Sequence, residues 1–201
     1  MNSDYKKTVN KLLASDINGC RQFFMNNGYT LEEAYCNILE DNLAEAKRLF
    51  FSIEDKDIRA KWGVFLCGLI SGKIEGYPSY FALRNFLEID LNLLTMYYKG
   101  EYVENIVKYA DWLYTINPEV HKFIGRVFLN NHLEEYGMAF LLKAKDYFYN
   151  DPELHYLLAE QYFKQNNIPE CKKAIENCLN VLPEYFPAIQ LQKKIEKNCE
   201  Y

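Results

Sequence analysis

The chain has 201 residues and a mass of 23.8 kDa, with 49% hydrophobic and 25% charged residues. That apolar content offsets the entropy of ordering and excludes wholesale disorder, and the length suits one sizeable domain or a short array of repeats. Nine glycines and six prolines are too few for an all-β sandwich or barrel, which turns about every ten residues. A net charge of −5 and a pI near 5.3 leave no basic footprint for duplex nucleic acid.

The N-terminal Met1-Asn2-Ser3-Asp4-Tyr5-Lys6-Lys7 is polar and no continuous apolar stretch follows it, so a secretory signal is not expected. The apolar run Gly63–Ile70, eight residues that Trp62 extends to nine, falls far short of the roughly 20 that cross a bilayer. A reducing, cytoplasmic setting without membrane contact is the expectation. The six cysteines include no Cys-x-x-Cys pair, so no metal is expected and they read as small buried apolar side chains.

In chain order, apolar spacings of three and four predict helices near 4–13, 16–26, 30–40, 43–53, 57–71, 78–98, 101–116, 118–130, 133–149, 152–165, 168–181 and 185–199. Thr30-Leu31-Glu32-Glu33 has the spacing of a capping box. Asn117-Pro118-Glu119 and Asp151-Pro152-Glu153 each place a capping residue before proline and an acid in the first turn. Between them the connections are short, so consecutive helices should pack as hairpins. The segment 71–78, dense in glycine and proline, is a candidate joint.

Pro118-Glu119-Val120-His121 returns as Pro152-Glu153-Leu154-His155, a displacement of 34 residues. Small residues recur at matching places, Gly125, Gly137 and Ala144, then Ala159, Cys171 and Cys178. Large ones fill the places between, Ile124, Phe128 and Leu141, then Leu158, Tyr162 and Ile175, and Pro183 closes the second unit. On this period and pattern the chain resembles the tetratricopeptide repeat family. The likeness is clearest over 118–183. It extends to 84–117 through Leu87, Leu91, Leu94, Val107 and Ala110, with Asp90 where a leucine is expected and a two-residue slip suggested at Gly100-Glu101-Tyr102. It reaches 27–60 through Ala34, Leu43, Ala46 and Phe50. A generic helical bundle is the alternative.

The resemblance implies an all-α, right-handed α-solenoid of about eleven to twelve antiparallel helices. Its expected parts are a helical cap at 1–26, divergent helices at 27–77, three repeats at 78–183 and a capping helix at 184–201. It also implies a concave groove holding a peptide or partner helix. Carried over by position, that groove takes Asn85, Glu88, Asn92 and Met96, then Lys122, Arg126 and Asn130, then Tyr156, Glu160 and Phe163. Lys122 and Arg126, four apart on one face, suggest an acidic group on the peptide, with a bulky side chain toward Tyr156. A self-paired network of Lys122, Arg126 and Glu160 explains the same pattern.

His121 and His155 fall where the family buries an aromatic, so they read as packing residues, and His132 falls in a turn. No Gly-rich phosphate loop, Gly-x-Ser-x-Gly or His-Glu-x-x-His occurs, so neither catalysis nor a cofactor is expected. The expected role is a scaffold or adaptor that binds an unidentified protein. The alternatives are a client-specific chaperone or assembly factor, or a non-catalytic regulatory subunit. Tyr147, Phe148 and Tyr149 are candidates for homodimerisation or for packing on the next repeat.

Overall fold

The structure, a computed structural model, describes residues 3–13, 16–147 and 149–198, so Phe148 and Cys199 lie outside the described residues. These residues form thirteen α-helices and no strand, α1 Ser3–Leu13, α2 Ile17–Asn26, α3 Thr30–Leu39, α4 Leu43–Ile53, α5 Ile58–Ile70, α6 Tyr80–Met96, α7 Gly100–Lys108, α8 Ala110–Tyr114, α9 Val120–Asn130, α10 Glu134–Tyr147, α11 Pro152–Lys164, α12 Ile168–Val181 and α13 Phe186–Asn198. The chain is therefore all-α. It divides into two compact units, residues 1–110 and 111–201.

Helix ends follow local chemistry. Asp151 caps α11, its side chain accepting from the Leu154 N–H at 3.2 Å, with Pro152 in the first turn. Asp57 and Ser79 cap α5 and α6 in the same way. Two expected starts differ. Asn117 instead accepts from the Glu119 N–H at 2.9 Å, closing a turn ahead of α9. Thr30 already lies inside α3, where Tyr29 stands at the cap without a side-chain bond, so no capping box forms.

Six helix ends close with one geometry. Gly28, Asp41, Gly72, Tyr98, His132 and Asn166 have φ of 71°, 63°, 70°, 55°, 60° and 57°. The N–H of the residue after each returns to a carbonyl in the helix, as with Asn42 to Asn37 at 2.8 Å, Lys99 to Leu94 at 2.9 Å, Leu133 to Phe128 at 2.9 Å and Asn167 to Tyr162 at 2.8 Å. This left-handed closure satisfies carbonyls that the helix end leaves open. Tyr98, His132 and Asn166 are spaced by 34 residues each. The turn between α6 and α7 therefore keeps the period, and the slip expected at Gly100-Glu101-Tyr102 is not there.

The phase shifts later instead. Ile106 is fully buried while Val107 is only partly so, so Val107 does not take the inward place. The helix expected over 101–116 breaks at Tyr109, whose N–H tightens onto the Ile106 carbonyl at 3.1 Å and whose hydroxyl reaches the Gly72 carbonyl at 3.3 Å. Beyond the break Ala110 and Leu113 are again buried.

In the first unit, α1 and α2 close over α3 through Cys20, Phe24 and Cys36, with Tyr5, Phe23 and Tyr29 against them. The joint, Ser71 to Ser79, lies inside this unit and docks on α5, where the Lys73 N–H bonds to the Gly68 carbonyl at 2.9 Å. Asp90 is buried on α6 and accepts from Trp62 Nε1 at 2.5 Å, Arg59 at 2.5 Å and the Tyr35 hydroxyl at 3.1 Å. One carboxylate thus ties α3, α5 and α6 together. The second unit is built on Leu141, Ala144, Leu158, Ala159, Cys171, Ile175 and Cys178, with Ala188 and Ile195 of α13 closing the far side.

Candidate functional site

The expected packing residues lie in or against the core of the second unit. Phe128, Leu141, Ala144, Ala159, Cys171, Ile175 and Cys178 are buried, and Tyr162 is partly buried against them. Gly125 and Gly137 sit where α9 and α10 cross. A Cβ on either would stand about 3 Å from the other's carbonyl oxygen, at 3.0 and 3.1 Å. Cys178 Sγ lies 3.0 Å from the Pro152 carbonyl, joining α12 to the start of α11.

The expected groove residues fall on three helices. Asn85, Glu88, Asn92 and Met96 lie along α6 in the first unit, where Asn85 bonds back to the Phe81 carbonyl at 2.7 Å and Asn92 Nδ2 contacts Met96 Sδ at 3.4 Å. Lys122, Arg126 and Asn130 run along α9, and Tyr156, Glu160 and Phe163 along α11, both in the second unit.

Lys122 is 4% exposed, and its Nζ lies 2.5 Å from Asp151, 3.0 Å from Glu153 and 3.1 Å from Glu119. Burial works against its charge, but the bonds to Asp151 and Glu153 outweigh that and hold it above the ordinary lysine value. Arg126 pairs with the other oxygen of Glu153. The acidic group expected to meet these cations is thus supplied by the chain itself, from the cap and first turn of α11. A carboxylate also belongs there because a helix N-terminus attracts negative charge. The self-pairing foreseen with Glu160 is made with Glu119, Asp151 and Glu153 instead.

The aromatic members are partly covered. Tyr156 packs on Tyr185 with ring centroids 5.7 Å apart, and Lys194 of α13 stands 4.8 Å above the Phe163 ring. Asn130 is exposed and Glu160 is half-buried. His121 and His155 are fully buried, and His132 is exposed in its turn. Tyr147 and Tyr149 are each 51% exposed, yet both contact a buried histidine ring.

No sequence pattern signalled a cleft in the first unit. In the first unit a cleft of about 390 Å³ runs between α4, α5 and the joint, walled by Ile58, Trp62, Phe65 and Tyr77, with Lys47 and Glu75 paired at 2.9 Å on its rim. Its walls come from three separated segments, so no local motif announces it.

Among the described residues no group of three or more His, Cys, Asp or Glu is placed to hold a metal ion, and no helix is long and apolar enough to cross a membrane. Comparison with protein-family models, curated proteins and solved structures finds no match.

Proposed function

We propose that this chain is a protein-interaction module whose helix pairs stack as tetratricopeptide-like repeats in a right-handed α-solenoid. The first helix of each pair lines a concave groove that holds an extended peptide or a partner helix, in a scaffold or adaptor role without chemistry of its own. The observation that carries this reading is the 34-residue recurrence, expressed both in the left-handed turns at Tyr98, His132 and Asn166 and in the small residues at the α9–α10 and α11–α12 crossings. With Lys122 and Arg126 neutralised internally, partner contacts in the second unit fall to Asn130, Tyr156, Glu160 and Phe163.

A pull-down analysed by mass spectrometry tests this, comparing wild type with Asn130→Glu/Glu160→Lys and with a control, Lys172→Glu/Lys173→Glu, on the exposed face of α12. The groove variant should lose partners that wild type and control retain, with all three showing the same helical circular dichroism. Partners kept by the groove variant and lost by the control would move binding to the outer face.

A further inference from the structure

We propose that His121 and His155 form an acid-opened latch in the second unit, in which a proton reaching Nδ1 of either ring loosens the join between successive helix pairs. This inference stands apart from the peptide-binding reading.

Both rings are 0% exposed and occupy the same place in consecutive 34-residue units. His121 Nε2 lies 2.9 Å from Asp111 Oδ1, and His155 Nε2 lies 2.7 Å from the Tyr149 carbonyl. A carbonyl only accepts, and so does an ionised carboxylate, so each neutral ring carries its hydrogen on Nε2 and a bare lone pair on Nδ1. Neither Nδ1 has a hydrogen-bond partner.

Protonation would therefore create a buried donor without an acceptor, among aromatic rings. Tyr147 at 5.4 Å and Phe140 at 6.0 Å stack on His121 with Tyr114 tilted at 5.3 Å, and Tyr149 meets the His155 ring edge-on at 4.6 Å. Aromatic faces attract a cation, but a weak N–H···π contact does not replace the oxygen acceptor that water would offer the new N–H.

Nearby charges oppose one another. Asp111 on α8 favours the proton on His121 while Lys143 on α10 disfavours it, and Lys143 already sits 2.5 Å from the same Asp111 oxygen. Asp151 and Lys145 play the corresponding parts at His155. Burial decides the balance, and both rings fall below the ordinary histidine value of 6.5. The neutral rings thus stabilise the fold fully above about pH 6.5, and that contribution is lost as pH falls through their lowered values.

The rings sit where such a loss is felt. His121 joins α8, α9 and the end of α10, and His155 joins the connection at Tyr149 to α11.

The test uses the full chain. On going from pH 7.5 to 5.5, the melting temperature of wild type should fall by about 5 °C relative to that of His121→Phe/His155→Phe, which keeps the ring packing and every other titrating group. An equal shift in both proteins overturns the latch. Independently of that variant's folding, ¹⁵N-histidine NMR of His132→Gln leaves only the two buried rings visible. Nε2–H tautomers titrating below pH 6.5 support the proposal. Nδ1–H tautomers, or midpoints at or above 6.5, end it.

Discussion

Gly125 and Gly137 face each other's backbone. A Cβ on Gly125 would stand 3.0 Å from the Gly137 oxygen and 2.9 Å from Leu141 Cδ2, and one on Gly137 would stand 2.6 Å from Leu129 Cδ2. The two helices meet so closely because neither carries a side chain at the crossing. Each Gly→Ala change should destabilise the protein by about 1–3 kcal/mol through overpacking. Gly100, with nothing within 4 Å, is the control, and Gly100→Ala should stabilise by up to about 1 kcal/mol. Urea unfolding midpoints measure both, and an unchanged midpoint in Gly125→Ala would show that the crossing is loose.

Asp90 stands where the repeat pattern calls for leucine, yet Asp90→Leu should be costly. It would leave the Arg59 guanidinium, the Trp62 N–H and the Tyr35 hydroxyl without their acceptor. The expected loss is about 3–5 kcal/mol, and adding Arg59→Met should recover much of it, because a whole ion pair is replaced more easily than half of one. A double variant no better than the single would assign the cost to Trp62 and Tyr35 instead.

The same carboxyl gives the first unit a pH response. Burial raises Asp90 to about 6 against the opposing pull of Arg59, Trp62 and Tyr35. A raised folded-state value means that the contribution is complete below the ordinary 3.8 and is lost as pH rises through about 6. Wild type should therefore lose stability relative to Asp90→Asn between pH 5 and 7.5, about the opposite of the histidine latch. Paired denaturation curves at the two pH values read the difference directly, and parallel curves would refute the assignment.

Tyr98 and His132 hold left-handed backbone, with φ of 55° and 60°, while Tyr98 is 93% exposed and the His132 side chain 91% exposed. Neither has packing to lose, so Tyr98→Gly and His132→Gly should each stabilise by about 1 kcal/mol by relieving the Cβ clash of that conformation. A rise of a few degrees in melting temperature is the expected reading. A fall would mean that these side chains make contacts at the turn that outweigh the strain.

Lys122→Met should cost about 3–5 kcal/mol, since it leaves three carboxylates around an uncharged side chain. Arg126→Met, at a pair whose side chains are 24% and 39% exposed, should cost only about 1 kcal/mol. Chemical denaturation separates the two, and equal losses would mean that Glu153 rather than Lys122 anchors the cluster.

The helical periodicity, the short connections and the 34-residue recurrence could be read directly, because all three are local or repeated along the chain. Pro118-Glu119-Val120-His121 and its echo at Pro152, with the small residues that follow, pointed to the buried histidines and the glycine crossing. The candidate groove was less legible. Lys122 and Arg126 looked available because their partners, Asp151 and Glu153, lie one 34-residue period further along the chain and presented themselves only as a cap and a first-turn acid. Asp90 was visible as an anomaly, but Tyr35, Arg59 and Trp62 converge on it from α3 and α5, and no spacing rule connects them. The all-helical character and the 34-residue recurrence were readable from the residues alone, since backbone hydrogen bonding and apolar spacing act within a few turns of helix. Which charges are spent inside the protein emerged with the packing alone, because burial and ion pairing depend on which distant segments meet.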